Sequence, residues 1–383
     1  MKWLFNIIFL FLITPLITCS VPYEYEINVQ DTLLREGIVY VDTLCDVSYG
    51  VTVPRSVPIK FIFRNNSVTA CNIQGYMLEA GMEVPSGNTN TLRGAEITGN
   101  KFTWVGDHNA STITHGIFTG FNTDVKIMYN YVDRVPMSII RKSNGLTDTD
   151  GVVAYNIVVS PPAVGVVVKG MNGVRIYNNT FFSDEPPYLS PGIGTWRGLI
   201  DVYSNADTAI YKDAFGYAKN TKIKNNIFYT VNKIPNVNIM NVESLEGFEC
   251  DNNIYWCESG EPMFRIAGVD LTFTQWRARG YDTLSIVMNP HFKDFVDFVP
   301  EFRLQWGTPT EFDMGIAMSD YWSVGLDPQL VRQDGYWQQG ARIYEGDMVI
   351  FYRGGRLIEG DSTNIILKTG KVIIKQGELK IEQ

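Results

Sequence analysis

Apolar and polar positions repeat along the middle of the chain in a six-residue figure. It runs apolar, two mixed residues, asparagine, one further residue, then apolar or aromatic. Its asparagines and flanks are Ile97-Asn100-Phe102, Ile127-Asn130-Val132 and Val153-Asn156-Val158, followed by Ile176-Asn179-Phe181, Ile223-Asn226-Phe228 and Cys250-Asn253-Tyr255. Successive asparagines lie 30, 26, 23, 47 and 27 residues apart. A period of roughly 22–30 residues is one coil of a β-solenoid, and the gap of 47 reads as one coil carrying insertions. Asparagine tolerates the left-handed backbone of a sharp turn between two short strands, and amides stacked coil upon coil can hydrogen-bond in a ladder. The flanking apolar residues then point inward and fill the core.

A second run aligns in each coil: Gly116 to Thr119, Ser138 to Arg141, Gly165 to Val168, Gly198 to Asp201 and Asn238 to Asn241. Each has a small or polar residue before two apolar ones, as expected of parallel strands buried on their inner side. In this alignment Arg141 and Asp201 share one register and Lys142 and Lys169 share the next. Only one of the two registers faces solvent at mid-strand.

The figure resembles the parallel β-helix repeat family, whose members include pectate lyases, polygalacturonase-like hydrolases and phage tailspikes. The likeness is strongest over residues 95–260. It implies an all-β, right-handed parallel β-helix with an N-terminal cap and a small C-terminal β appendage. Residues 21–94 are expected to hold that cap and the first coils, because Val51 to Pro54 and Val57 to Phe63 look like an opening coil and an open end must be covered. The helix itself spans 95–300. Near its end Thr272 and Gln275 form a capping box for a short helix that Gly280 can stop. The run through Ser285-Ile286, Asn289-Pro290 and Phe292, and then residues 301–345, resemble the segment that closes secreted bacterial β-helix proteins by packing on the helix. In 346–383, Met348 to Tyr352 and Lys371 to Lys375 are strand-like and separated by glycine turns.

The N-terminus reads as an export signal over residues 1–20. Lys2 precedes the apolar run Leu4 to Leu12, Pro15 breaks it, and Thr18-Cys19-Ser20 offers small residues for cleavage. Leu16 to Cys19 resembles a bacterial lipobox, so a lipid anchor and plain cleavage near Ser20 both stand, for a secreted or cell-surface protein. Export makes disulfides possible, and Cys45–Cys71 and Cys250–Cys257 are the expected local pairs. The absence of any Cys-x-x-Cys pair argues against a zinc site.

A net charge of −9 argues against nucleic acid as a partner. It also means that an acidic polymer needs a local basic strip or a bridging cation. The 20 tyrosines and 8 tryptophans suit stacking on sugar rings as well as ordinary packing. No phosphate-binding Gly-Lys-Ser/Thr loop or Gly-x-Ser-x-Gly elbow is present.

Enzymes of the resembled family place their clefts on the long parallel sheet after the glycine and serine starts, which here points to Thr119, Arg141, Lys142, Lys169, Asp201 and Asn241. Lyase action on a uronate requires a base to take the proton beside the carboxylate and a cation to neutralise the resulting charge. Arg141, Lys142, Lys169 and His115 are candidate bases, and Asp148, Asp150 and Asp201 candidate calcium ligands. Hydrolysis needs two carboxylates flanking the bond. Asn122-Thr123-Asp124 matches one short hydrolase motif, but that family's adjacent aspartates and Gly-His-Gly are missing. The insertions at 184–197 and 205–220 carry Tyr188, Trp196 and Tyr211 as candidate sugar-stacking residues, with Asp201 and Asn241 as polar substrate contacts. The expected function is therefore action on a polysaccharide, by lyase chemistry or by binding alone, with a spike-like structural component as a further alternative.

Overall fold

The computed structural model describes residues 27–28, 51–53, 60–64, 67–70, 75–80, 92–93, 95–104, 114–120, 122–123, 125–142, 149–186, 197–204, 216–292, 340–341, 364–368 and 371–375. Nearly all of the regular elements are strands, and most of these form three large, mainly parallel sheets. The fold is all-β and solenoid-like.

Seven successive coils, from Lys60–Arg64 to Met263–Ile266, each give one strand to each sheet in the same order. One coil reads Lys126–Met128 in the first sheet, Tyr131–Asp133 in the second and Met137–Lys142 in the third. The next reads Thr149–Ala154, Ile157–Val159 and Val164–Lys169. The opening strands expected near Val51 and Phe63 are present as Val51–Val53 and Lys60–Arg64, and Ile27–Asn28 adds an antiparallel edge to the latter. The coil containing the longest asparagine gap is a single turn, with Thr180–Ser183 in the second sheet and Ile200–Tyr203 in the third.

The repeated figure straddles the corner between the first and second sheets. Its leading positions, Ile97, Ile127, Val153, Ile176, Ile223 and Cys250, are buried in one continuous core. So are its closing positions Phe102, Val132, Val158, Phe181, Phe228 and Tyr255. Burial of each such side chain contributes about 1.5–3 kcal/mol. Phe181, Phe228 and Tyr255 stack face to face, with centroids 5.0 and 4.9 Å apart.

The six asparagines form the expected ladder, fully buried. Asn130 shows the unit. Its Oδ1 accepts from the backbone N–H (3.0 Å) and side-chain Nδ2 (2.9 Å) of Asn100. Its own Nδ2 donates to Asn156 Oδ1 (2.9 Å) and to the Ile97 carbonyl (2.9 Å). The left-handed residue of each turn is not the ladder asparagine but the one before it: Gly99, Tyr129, Tyr155, Asn178, Asn225 and Asn252, with φ between 51° and 68°. Turn and ladder are thus separate jobs on adjacent residues. That is why a tyrosine can take the turn twice while the ladder position is always asparagine.

The ladder ends on a buried acid. Asn253 N–H donates to Ser285 Oγ (2.8 Å), and Asn253 Nδ2 to Asp282 Oδ1 (3.0 Å). Asp282 Oδ2 also accepts from Trp276 Nε1 (2.6 Å), Tyr255 Oη (3.0 Å) and Cys250 Sγ (3.1 Å). Burial pushes the Asp282 carboxyl up from its usual range, and the hydrogen bonds from Ser285, Asn253, Cys250 and Trp276 work against that shift. The cysteine pairing expected from sequence is therefore corrected here: Cys250 and Cys257 are both free and buried. Burial and the neighbouring Asp282 raise the Cys250 thiol well above its usual value, so it is an inert thiol. Cys45 and Cys71 lie outside the described residues, as do residues 1–20.

The short helix Phe273–Arg277 carries the expected capping box, with Thr272 and Gln275 bonded reciprocally and Gly280 at φ 90° beyond it. Its Trp276 is fully buried, stacked 4.8 Å from Phe264. On the outer face of the second sheet, Phe292 and Ala341 cover Ile157, Val159, Phe182, Ile227 and Ile254. Gly340 N–H donates to the Asn225 carbonyl and Ala341 N–H to Thr180 Oγ1. Near the C-terminus, Lys371–Lys375 is a strand as expected. Its antiparallel partner is Asn364–Lys368, while Met348 to Tyr352 lies outside the described residues.

Candidate functional site: the outer face of the third sheet

Strand alternation sorts the third sheet into inward and outward columns. Val166, Ile200 and Val237 pair in one inward column, and Val168, Val202 and Ile239 in the other. Arg141 pairs with Val168 and Thr119, so it belongs to the inward set. It is fully buried. Its Nη1 donates to Thr119 Oγ1 (2.8 Å), whose hydroxyl donates to the Ile140 carbonyl. The guanidinium crosses the interior to the first sheet and lies over Gly151, where a Cβ would come within 2.7 Å of Nη2. Arg141 and Thr119 therefore do not reach the outer face, and Arg141 is removed from the candidate bases.

The expected register of Asp201 is corrected by one residue. Asp201 pairs with Val167 and Asn238, and Val167 with Ile140, so Asp201 does not share a column with Arg141. It points outward. Asn241 is not in the Asp201 column either. It precedes the 3₁₀ turn Val242–Leu245, and its Oδ1 accepts from the Ser204 N–H (2.8 Å). The other half of the expectation holds: Lys142 pairs with Lys169, and Lys169 with Tyr203.

The outer face therefore carries Lys142, Lys169 and Tyr203 in one column, with Asp201, Asn238 and Arg265 in the column beside it. Lys142 is buried and Lys169 half-buried, with Lys169 Nζ 5.6 Å from the Tyr203 ring centroid. Arg197 joins them from just before the strand. Its Nη1 donates to Asp201 Oδ2 (2.7 Å), and its guanidinium carbon lies 5.5 Å from the Tyr203 centroid. Asp201 Oδ1 accepts from the Gly198 N–H and from Asn238 Nδ2, both at 2.9 Å. Burial pushes the Asp201 carboxyl up, and Arg197, the Gly198 amide and Asn238 pull it back towards the charged form. Burial likewise works against the Arg197 charge, but Asp201 and Tyr203 outweigh it, and the guanidinium stays charged. Arg265 is held by Asp270 through Nε (2.6 Å) and Nη2 (2.5 Å).

Of the proposed calcium ligands, only Asp201 has a described side chain. Asp201 has both oxygens occupied by protein donors. Asp150 belongs to a strand of the first sheet, not the third, and Asp148 lies outside the described residues. Among the described residues no three His, Cys, Asp or Glu side chains are grouped to hold a metal. His115 is the second residue of the third-sheet strand Thr114–Gly120 and packs edge-on against Phe118 at 6.0 Å. Asn122–Thr123 forms a short parallel strand with Leu92–Arg93. Tyr188, Trp196 and Tyr211 lie outside the described residues.

Sequence reasoning missed Arg197 and Tyr203. The signal for Tyr203 lay in Ile200-Asp201-Val202-Tyr203, whose strict alternation puts the aspartate and tyrosine on the same side, opposite two core residues. No protein-family model, curated protein or solved structure matches the chain.

Proposed function

We propose that this is an exported, right-handed parallel β-helix protein that binds an acidic, uronate-containing polysaccharide across the outer face of its third sheet. The observation that carries the reading is the column Lys142–Lys169–Tyr203 beside the Arg197–Asp201 pair. In a chain of net charge −9, the described part of this face gathers Lys142, Lys169, Arg197 and Arg265, with the two arginines paired to Asp201 and Asp270 and Glu79 placed by register in the Asp201 column. Strands stack about 4.8 Å apart, so an extended polyanion laid across them meets the half-buried Lys169 amine, with Tyr203 as an aromatic platform beside it. The right-handed sense follows from the steric preference of parallel crossovers. Export rests on Lys2 and the apolar run after it. Among the described residues no helix is long and apolar enough to cross a membrane.

Lyase chemistry is a second reading, favoured by the half-exposed Lys169 amine beside the Tyr203 ring. An amine that loses its proton can remove the one beside a uronate carboxylate, and a phenol can protonate the departing oxygen.

Affinity electrophoresis through gels carrying polygalacturonate, alginate or uncharged dextran tests the binding reading. Retardation is expected in the uronate gels only, weakened by salt and by Lys142→Gln with Lys169→Gln. Equal mobility in all gels defeats it. Ultraviolet absorbance from unsaturated uronate ends, lost in Lys169→Gln, marks the lyase; binding without such ends leaves a binding protein.

A further inference from the structure

Asp201 breaks an apolar column. Phe118 pairs with Ile140, Ile140 with Val167, and Val167 with Asp201. Phe118, Ile140 and Val167 belong to one buried cluster with Met137 and Val164, and the Tyr203 side chain packs against it. An aliphatic residue would therefore continue the column, and replacing a buried ion pair by apolar residues is often neutral or stabilising. Stability alone does not explain an acid here. What the acid does is hold a guanidinium. Asp201 is fully buried and Arg197 is 4% exposed, with Oδ2 taking Nη1 at 2.7 Å while the Gly198 N–H and Asn238 Nδ2 fix Oδ1. Arg197 Cζ in turn lies 5.5 Å from the Tyr203 ring centroid, within the reach of about 6 Å for a cation–π contact. Lys169 Nζ lies 5.6 Å from the same ring, but the two cations differ. The Arg197 charge is cancelled by Asp201 and shut away from solvent. Lys169 is half-buried, and among the described residues no carboxylate pairs with it.

We infer that Asp201 and Arg197 are positioning residues: their buried pair sets the Tyr203 ring beside the Lys169 amine, and that ring and amine together meet one uronate unit. The inference rests on the glycan reading above and divides the polar face into residues that touch the chain and residues that act through another. Lys169 and Tyr203 are paired across adjacent strands, so their side chains are neighbours on the outer face. The amine suits the uronate carboxylate, and the ring suits the apolar surface of the sugar. A tyrosine left to itself would have to be ordered when the chain binds, and that ordering is subtracted from affinity. A ring already gripped by the apolar cluster on one side and by a fixed guanidinium on another avoids the loss.

Arg197→Gln together with Asp201→Asn removes both charges and leaves the net charge of the face as it was. Attraction by charge alone then predicts an unchanged dissociation constant for polygalacturonate, whereas positioning predicts weakening of up to about tenfold. In a Tyr203→Ala background the same double replacement should have no effect, because nothing is left to position. The ring also gives a readout that needs no glycan. In protein carrying carbon-13 tyrosine, the Tyr203 ring signals, assigned by their loss in Tyr203→Phe, should shift in the double variant while those of the core Tyr255 stay. Should the double variant unfold, Arg197→Lys carries the test: it keeps the charge but loses the planar group that meets the ring, and the same shift and weakening are expected. Unchanged affinity in the double variant, or a further loss in the Tyr203→Ala background, overturns the inference and leaves the Lys169 contact in place. If no uronate chain binds the parent protein, the glycan reading fails and the uronate contact with it. The ring signals then decide the positioning alone: moved signals uphold it and unmoved signals overturn it.

Discussion

Asn156 sits mid-ladder, and its replacement is the sharpest probe of what holds the coils together. Its Oδ1 accepts from Asn130 N–H (3.0 Å) and Asn130 Nδ2 (2.9 Å). Its Nδ2 donates to the Ile127 carbonyl (2.8 Å) and Asn179 Oδ1 (3.0 Å). In Asn156→Ala, Asn130 Nδ2 keeps the Ile97 carbonyl, and Asn179 Oδ1 keeps the residue-156 backbone N–H. Asn130 N–H and the Ile127 carbonyl lose their side-chain partner in a site that is fully buried. At about 1–3 kcal/mol for each of the two deprived groups, the loss is about 2–6 kcal/mol. Asn156→Asp is nearly isosteric, yet it should cost more. A carboxylate still accepts from Asn130, but its second oxygen meets two acceptors, and a buried charge must be carried or neutralised. Urea denaturation followed by far-ultraviolet circular dichroism gives the stability. Hydrogen exchange of the peptide containing Asn130 gives the local effect, where faster exchange is expected in both variants. Asn156→Ala within about 0.5 kcal/mol of the parent, or Asn156→Asp as stable as the parent, would show that the ladder is a consequence of stacking and not one of its causes.

Two further outcomes follow from the same coordinates. Glu249 is bonded to Lys224 (2.5 Å) and Lys222 (3.0 Å), and these bonds, the Lys224 bond foremost, hold its carboxyl below the ordinary 4.5. A depressed folded-state value means the contribution is complete above the unfolded value and is lost as pH falls through the folded one. The carboxylate is 44% exposed, so Glu249→Gln should cost under about 1 kcal/mol at neutral pH. That gap should close on acidification below 4.5, and a gap that widens there refutes the assignment. Cys250 and Cys257 should both take up iodoacetamide once the chain is unfolded in urea without reductant, and resist it when folded. A Cys250–Cys257 linked peptide by mass spectrometry would contradict the free thiols.

The fold was legible because the core positions are fixed by physics that acts within one coil. Ile97, Asn100 and Phe102 occupy six residues, and their order alone states inward, ladder, inward. Repetition then does the rest, since each coil needs the same neighbours above and below. What the figure hides is which residue bends. Asn178, Asn225 and Asn252 take the left-handed turn as asparagines beside the ladder asparagines, so the two roles merge when the sequence is read. The coils with Gly99, Tyr129 and Tyr155 separate them. Capping was legible for a similar reason: Thr272 and Gln275 act over three residues. The buried acid at the end of the ladder was not, because Asp282 meets Asn253 across 29 residues.

The site was less legible because it depends on register between coils. Matching Gly165 with Gly198 looks natural, since both stand where backbone crowds backbone. A Cβ on Gly165 would lie 2.7 Å from the Leu199 carbonyl oxygen, and one on Gly198 2.9 Å from that of Pro235. The crowding is real in both coils but falls on successive positions, because Val166 pairs with Ile200. A slip of one residue exchanges the two faces of a strand. It is enough to bring Asp201 into line with Arg141, which in fact lies inside the solenoid. With the true register, Asp201 faces outward and has a partner that the slipped alignment left unused. Arg197, four residues upstream, then becomes the buried cation around which the polar face is arranged.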